Sequence, residues 1–260
     1  MFKIKPYALG LLPLAFLGCS DGTGPGTAPR VSLSFATRVP SQTAASAPAY
    51  EGFSSPASDT ISDGANTLII TRAQLVLREI ELERQEVADC DVEPEPAGCE
   101  DFETGPVLID LPLGPGAVPQ VEVDVPPGVY VEVEFDIHKV SNDDPEDAAF
   151  RQAHPDFIGK SIRVQGTFNG TAFTYETDLN VEQELDLVPP LVIADTTTTT
   201  NLTIRVDLRQ WFRAPDGTLV NPATANKGGP NENLVKENIK RSIKAFEDRD
   251  KDGDEGDERD

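Results

Sequence analysis

The chain has 260 residues and a formal net charge of −23 at pH 7, from 45 acidic and 22 basic residues. Its length is enough for one large domain or two small ones. A charge of this sign repels nucleic acid and anionic lipid headgroups, which attract proteins through clustered Lys and Arg. We therefore exclude nucleic acid as a partner and expect divalent cations and basic molecules as the natural counterparts.

The first 18 residues have the organisation of an export signal. Lys3 and Lys5 give a positive start, and the apolar run over residues 7–17 is too short to span a bilayer, which takes roughly 20 apolar residues. Phe16-Leu17-Gly18-Cys19 closes the run and resembles the lipobox of bacterial lipoproteins, in which a small residue precedes the cysteine. The alternative is ordinary secretion, with Cys19 as a bystander thiol.

The lipobox resemblance implies that residues 1–18 are removed and that Cys19 carries the lipid anchor. Ser20 follows the cysteine where inner-membrane lipoproteins carry Asp, so the resemblance implies the outer membrane of the bacterial cell envelope. Residues 19–30 are mostly Ser, Asp, Gly, Thr and Pro and are predicted to form a flexible tether.

Cys90 and Cys99 flank a turn rich in Pro, Glu and Gly. An exported chain meets an oxidising compartment, so we predict a local disulfide between them. A metal site is the weaker alternative, because the two cysteines lack the close pairing of zinc ligands.

Beyond the tether the sequence is mostly of strand type. A first strand is predicted at about 31–37, followed by a long loop over 39–65 that is rich in Ser, Ala, Pro and Gly. Further strands are predicted at 107–113, 179–188 and 201–208.

The segment from Leu68 to Leu82 fits two structures. Its apolar residues change parity twice along the chain, which a bulged strand would produce. A helix with one apolar face also fits the spacing. We favour the strand, because β-rich neighbours need partners.

Two β-hairpins are predicted in the middle of the chain. In the first, residues 121–125 and 129–137 alternate apolar with mostly acidic residues around the turn at Pro126-Pro127-Gly128. In the second, Asn169-Gly170 is the signal for a type I′ turn between residues 162–168 and 171–175. A two-residue turn fixes the register, and the resulting pairs are Phe168 with Thr171, Gly166 with Phe173, and Val164 with Tyr175. Phe173 is then expected to cover the gap left by Gly166.

Two helices complete the prediction. A short helix begins at Asp144 and Pro145 and ends at His154. A longer amphipathic helix covers about 231–247, with Val235, Ile239, Ile243 and Phe246 on one face.

The predicted fold class is mainly β, an antiparallel β-sandwich with one short helix and a C-terminal amphipathic helix. The sandwich domain covers residues 31–212, and a loop with the C-terminal helix covers 213–247. Val107-Leu108-Ile109-Asp110-Leu111 and Pro126-Pro127-Gly128-Val129-Tyr130 carry a loose resemblance, over about residues 66–210, to uncharacterised transthyretin-like or immunoglobulin-like domains of bacterial lipoproteins. That family has no assigned activity.

The acidic C-terminal segment, residues 248–260, contains a candidate metal site. Asp248, Asp250, Asp252 and Asp254 alternate with other residues, and Gly253 permits a sharp turn. The pattern resembles the Asp-x-Asp-x-Asp-Gly calcium loops of EF-hand, dockerin and thrombospondin type 3 repeats, in which oxygen ligands converge on one Ca²⁺. An EF-hand loop needs a Glu at its twelfth position, where this chain has Arg259, and an acidic solubilising tail is the alternative.

No catalytic motif is found in the sequence. It contains no His-Glu-x-x-His zinc motif and no Gly-x-Ser-x-Gly nucleophile elbow. His138 is expected to point outward at the end of a strand, and His154 to end a helix. Outward acids such as Glu132 and Glu134 are expected to form a solvated strand face, although paired carboxylates also occur in glycosidases. Trp211 is expected in the core, with sugar stacking as the alternative.

The functional hypothesis is a lipid-anchored module of the cell envelope that binds a partner or has a structural role and is not an enzyme. Its partners are the membrane, through the N-terminal lipid, and an envelope protein or glycan. The alternative is a hydrolase or a carbohydrate-binding accessory lipoprotein with a site built from loops. A deep pocket with two close carboxylates, or with His138 and His154 together, would favour that alternative.

Overall fold

The computed structural model describes residues 29–37, 58–85, 105–114, 116–194, 199–251 and 253, which form eleven strands and three α-helices. The strands are β1 Arg30–Ala36, β2 Asp59–Ser62, β3 Thr67–Arg84, β4 Val107–Asp110, β5 Val118–Asp124, β6 Gly128–Ile137, β7 Ile162–Phe168, β8 Thr171–Thr177, β9 Val181–Ile193, β10 Thr199–Val206 and β11 Ile243–Glu247. The helices are α1 Ala148–Ala153, α2 Leu208–Trp211 and α3 Glu232–Arg241, with 3₁₀ turns at Pro155–Phe157 and Pro222–Ala225. Within the described ranges, none of these helices has the length and apolar character needed to cross a membrane.

The strands form two sheets, so the predicted mainly β class is confirmed. The larger sheet has the order β8-β7-β3-β6-β9, with β2 and β4 also paired to β3. The smaller sheet has the order β11-β10-β1-β5. The pairing is antiparallel except between β1 and β10, which run parallel.

Residues of both sheets contribute to the main hydrophobic core, and Val76, Val140, Phe150 and Phe157 form a second, smaller cluster. The main core takes the alternating apolar residues Val31, Leu33 and Phe35 from β1, and buried residues of β3, β6 and β7 from the larger sheet. Trp211 is fully buried and donates its indole N–H to Ser242 Oγ at 2.7 Å. Trp211 is therefore a core residue, as expected, and is not available for stacking on a sugar.

The ambiguous segment around residues 68–82 is a strand, as favoured. β3 runs for 18 residues and is irregular between Ile70 and Arg72 and again between Arg78 and Glu81, where Glu79 has φ +51°. These irregularities lie where the apolar parity changes in the sequence, because an extra residue in a strand moves the following side chains to the other face.

The second predicted hairpin is confirmed in its register. Phe168 pairs with Thr171, Gly166 with Phe173, and Val164 with Tyr175. The structure gives Gly166 a second reason to be glycine. A Cβ at this position would lie 1.9 Å from the Ile69 carbonyl oxygen, at the first irregularity of β3.

The first predicted hairpin is wrong. β5 pairs with β1 in the smaller sheet, whereas β6 pairs with β3 and β9 in the larger one. Pro126-Pro127-Gly128 therefore carries the chain from one sheet to the other. The expected single apolar face of β6 also fails at its start. Tyr130 is buried there, and the pairing with β9 shifts between Tyr130 and Glu132.

Three other boundaries differ from the prediction. The loop expected over 39–65 contains β2, which pairs with the first part of β3. The short helix begins at Ala148, although Asp144 accepts the Glu146 N–H as an N-cap residue before Pro145 would. The C-terminal helix ends at Arg241, and Ile243–Glu247 forms β11 against β10. The helical spacing of Ile243 and Phe246 predicted the wrong structure, because pairing with β10 outweighed the helical preference.

Candidate functional site: a carboxylate-rich sheet face

The most distinctive feature of the surface is a set of acidic side chains on neighbouring strands of the larger sheet. We call it the acidic face, and it consists of nine residues in three cross-strand rows. The rows are Arg78, Asp136 and Glu182; Glu81, Glu134 and Glu184; and Glu83, Glu132 and Asp186. Each row takes one residue from β3, one from β6 and one from β9.

The acidic face results from alternation along each strand together with the pairing register. On β6, Val133, Phe135 and Ile137 are buried in the core, so Glu132 and Glu134 project from the opposite side of the sheet. Residues that lie directly opposite in an antiparallel pair share a face. The register of β3, β6 and β9 therefore brings the acids of all three strands to one surface.

Like charges placed directly opposite destabilise a sheet. The effect appears in the pKa values of the two glutamates on β6, the central strand of the three. Burial, a hydrogen bond with Glu134 and the charge of Glu83 raise the pKa of Glu132 to about 7. Burial and the surrounding carboxylates also raise the pKa of Glu134. At pH 7 Glu132 is therefore only partly ionised, whereas an isolated glutamate would have lost its proton.

Arg78 neutralises one end of the acidic face. Its side chain is 17% exposed and forms an ion pair with Asp136 of its own row at 3.5 Å. The same guanidinium pairs with Asp144 at 2.9 Å and with Glu79 at 2.8 Å. These contacts tie the loop before α1 to the sheet. The other two rows contain only acids, so the surface becomes more negative with distance from Arg78.

Carboxylate oxygens of Glu83, Glu132 and Glu134 lie within 4.8 Å of one another, a spacing at which they could share one cation. Oxygen ligands at 2.3–2.6 Å are typical of Ca²⁺. A single divalent ion would neutralise only part of the face. A partner with several positive charges matches its extent better.

His138 differs from its prediction. It is 4% exposed, and its Nε2 lies 2.8 Å from Asp147 Oδ1, to which it donates a hydrogen bond. Asp147 is fully buried and also accepts the Ser141 N–H at 2.6 Å. The expected exposure is wrong because the segment that carries Asp147 covers His138.

His138, Asp144 and Asp147 form the second group with metal-binding spacing in the described chain. Asp144 is already paired with Arg78, and the positive charge of Arg78 would repel a metal ion bound there. We interpret this group as a buried hydrogen-bond network. His154 ends α1 as predicted, and its ring lies 4.8 Å from that of Phe150.

Three clefts among the described residues lie away from the acidic face and from both histidines. A cleft of about 640 Å³ is lined by α2, α3 and the loop between them, with Arg213 and Arg241 against the single acid Glu237. A neighbouring cleft of about 420 Å³ contains Arg205 and Lys244 with the single acid Asp207. A third contains Glu247 as its only acid. These clefts do not hold the paired carboxylates that the hydrolase alternative requires.

Several predicted site residues fall outside the described residues. These are Cys19, Cys90, Cys99, Asp252 and Asp254. The lipid anchor, the disulfide and two of the four proposed calcium ligands therefore stay predictions. Asp248 and Asp250 are described, and Asp248 is buried against β10.

The sequence indicated part of the acidic face. Glu132, Glu134 and Asp136 were identified as outward residues from the alternation on β6. The same alternation is present at Glu182, Glu184 and Asp186. The sequence could not show that these two strands and β3 lie side by side, because that depends on long-range pairing.

No family model matches the chain, and neither the curated proteins nor the solved structures include a match to it.

Proposed function

We propose that this protein is a lipid-anchored, non-catalytic module of the bacterial cell envelope that binds a basic protein partner through its acidic face. The observation that carries the proposal is the register of β3, β6 and β9, which places eight carboxylates and one Arg on a single sheet surface. Such an arrangement costs stability through repulsion between like charges. A partner with several Lys or Arg side chains would remove that repulsion on binding.

The geometry of the face favours a protein partner over a glycan. Strands in a sheet are about 4.8 Å apart, and alternate residues along a strand about 6.7 Å, so three rows on three strands cover about 10 by 13 Å. The nine side chains include no aromatic ring on which a sugar could stack. Glu83, Glu182, Glu184 and Asp186 are exposed at its margin. Charge complementarity of this kind mainly increases the rate of association and the specificity.

The anchoring part of the proposal rests on the export signal and on Cys19. Two or three acyl chains would hold the protein durably, since each buried methylene contributes roughly 0.8 kcal/mol. The residues between Cys19 and Pro29 would then space the domain from the outer membrane, since β1 begins at Arg30. Mass spectrometry of the mature amino terminus should find a lipid-modified Cys19, and an unmodified Cys19 would contradict the anchor.

For the fold we propose a sandwich of the immunoglobulin-like or transthyretin-like kind. Supporting this, residues of both sheets contribute to one core, and the pairing is mostly antiparallel. The parallel pair β1–β10 is the feature to compare with those two topologies. A strand order unrelated to either topology would contradict this part of the proposal.

Binding of a hexalysine peptide, measured by titration calorimetry at 50 mM and 150 mM salt, tests the function. The variant Glu132→Gln/Glu134→Gln/Glu184→Gln should weaken binding at least tenfold. A matched control, Glu122→Gln/Asp143→Asn/Glu237→Gln, replaces the same number of carboxylates at other exposed positions and should stay within twofold of the wild type. Equal losses in the two variants, or no binding by the wild type, would contradict a dedicated face.

Photo-crosslinking in native envelopes would then identify the partner. A crosslinker at Glu184 should capture a basic protein that a crosslinker at Glu122 does not. Turnover of polysaccharide, ester or peptide substrates by the purified protein would contradict the non-catalytic part of the proposal.

A further inference from the structure

The start of the C-terminal segment is built into the smaller sheet. Asp248 is 2% exposed and follows β11 directly. Thr203 Oγ1 donates to its Oδ2 at 2.8 Å, and the Asn201 side-chain amide donates to its backbone carbonyl at 2.8 Å. The expected context of a loop after a long helix is therefore wrong, because the loop begins from a strand.

The backbone after Asp248 turns back on itself. Lys251 has φ +60° and Gly253 has φ +83°, and the Gly253 N–H donates to Asp248 Oδ2 at 3.0 Å. A glycine at the sixth position of the loop, counted from the first acidic ligand, is what calcium loops use for their sharp turn. Gly253 is the sixth residue from Asp248.

The other oxygen of the Asp248 carboxylate gives independent support for a bound ion. Asp248 Oδ1 is buried and has no hydrogen-bond partner within the described part of the chain. A buried polar atom without a partner is costly and needs an explanation such as an ion. The carboxyl group of Asp250 and the Lys251 N–H both lie within hydrogen-bonding reach of the Asp248 carboxyl group. Two ionised carboxylates are both acceptors, so their contact requires a proton or a cation between them.

The nearby positive charges leave room for a cation. Arg249 points to Glu247, with its Nε 3.0 Å from Glu247 Oε1. Lys251 is exposed, and its backbone carbonyl accepts the Ala117 N–H at 3.0 Å. The loop thus touches β10 through Asp248 and the residue before β5 through Lys251.

We propose that Asp248 and Asp250 bind one Ca²⁺, and that this ion fixes residues 248–251 and Gly253 against the smaller sheet. Asp248 Oδ1 is the buried ligand and the Asp250 carboxylate the exposed one. The site is distinct from the acidic face, which lies on the larger sheet, so either proposal can fail without the other.

Thermal unfolding of the chelator-treated protein, with and without CaCl₂ at matched ionic strength, tests the site. For a dissociation constant near 1 mM, 10 mM Ca²⁺ should raise the Tm by about 3–5 °C. Asp248→Asn keeps the shape of the side chain and should lose this rise. Asp250→Asn changes an exposed residue, should fold normally, and should lose it too. The matched control Asp143→Asn should keep it.

A second measurement reports on the segment itself. Ca²⁺ should slow amide exchange at Ala117 and Gly253 about tenfold in the wild type and leave it unchanged in Asp248→Asn. The proposal is overturned if the wild type shows no rise in Tm, or if either Asp variant keeps the full rise. A rise that is lost only in Glu132→Gln/Glu134→Gln/Glu184→Gln would also overturn it, and would assign the ion to the acidic face instead.

Discussion

The acidic face of the larger sheet and the buried carboxylate of Asp248 on the smaller sheet use the same chemical group in opposite ways. On the acidic face, Glu132 and Glu134 face other acids across the strands, and both pKa values are raised. At the smaller sheet, one carboxylate oxygen of Asp248 accepts two hydrogen bonds from buried donors. The carboxylates of the acidic face repel one another at the surface, whereas the carboxylate of Asp248 holds a chain segment in place.

The difference shows that the number of acids in a region does not predict what they do for stability. Surface charges contribute little or oppose folding, while removal of a buried acceptor leaves its donors without partners. The polar side of the smaller sheet illustrates this, because Ser34 and Asn201 are buried there and hydrogen-bonded to each other at 2.5 Å. We therefore assign partner binding to the acidic face and structural support to Asp248.

The largest effect is expected for Arg78→Ala. This cation is mostly buried among Glu79, Asp136 and Asp144, and its loss leaves their charges uncompensated. We expect a loss of about 3 kcal/mol in the free energy of unfolding, measured in urea. The control is Arg72→Ala, because the Arg72–Asp110 pair is half exposed and should cost less than about 0.5 kcal/mol. Equal effects would show that burial does not separate the two arginines.

Asp248→Ala should have the next largest effect. The substitution leaves the Thr203 hydroxyl and the Gly253 N–H without their acceptor, at a cost of about 2 kcal/mol in chelator-treated protein. Urea unfolding of Asp248→Ala, Thr203→Val and the double variant measures it. The double variant should be less destabilised than the sum of the single ones. Full additivity would contradict the hydrogen bond between them.

Glu132→Gln should stabilise the protein, and only above mildly acidic pH. The pKa of Glu132 is raised in the folded state, so the wild type loses stability as the pH rises from about 4.5, the unfolded value, through about 7. The variant lacks this loss and should gain about 1 kcal/mol at pH 8, after allowance for solvent screening, and nothing at pH 4. Urea unfolding across this pH range checks the sign. In the control Glu237→Gln, Lys240 lowers the pKa of the acid, so its pH trend should have the opposite sign.

The smallest effect is expected for Glu182→Gln, at the exposed margin of the acidic face on the edge strand β9. Its change in unfolding free energy should stay within about 0.5 kcal/mol. A loss of more than 1 kcal/mol, measured by urea unfolding, would mean that this margin supports the fold and would weaken its assignment to partner binding.

Local sequence signals predicted the regular parts of this fold. Asn169-Gly170 fixed the register of β7 and β8, since a two-residue turn allows only one pairing. The parity changes in the segment from Leu68 to Leu82 predicted a bulged β3, since they report on which face each side chain occupies.

Those local signals could not predict which distant strands pair with each other. Pro126-Pro127-Gly128 suits a hairpin turn and a crossing between sheets equally well, and only the distant partners β1 and β9 decide between them. Likewise, the acids of β6 were found in the sequence, but the row that joins Glu132 to Glu83 and Asp186 depends on strands about 50 residues away on either side. The burial of Asp248 depends in the same way on Thr203 of β10.

Urea unfolding at pH 7 in chelator, on the wild type, the Glu132→Gln/Glu134→Gln/Glu184→Gln variant and Asp248→Ala, tests the division between the two regions most directly. Replacing three carboxylates of the acidic face should raise the free energy of unfolding, and removing the single carboxylate of Asp248 should lower it. If both variants moved in the same direction, the acidic face and the Asp248 loop would not have the opposed roles assigned to them.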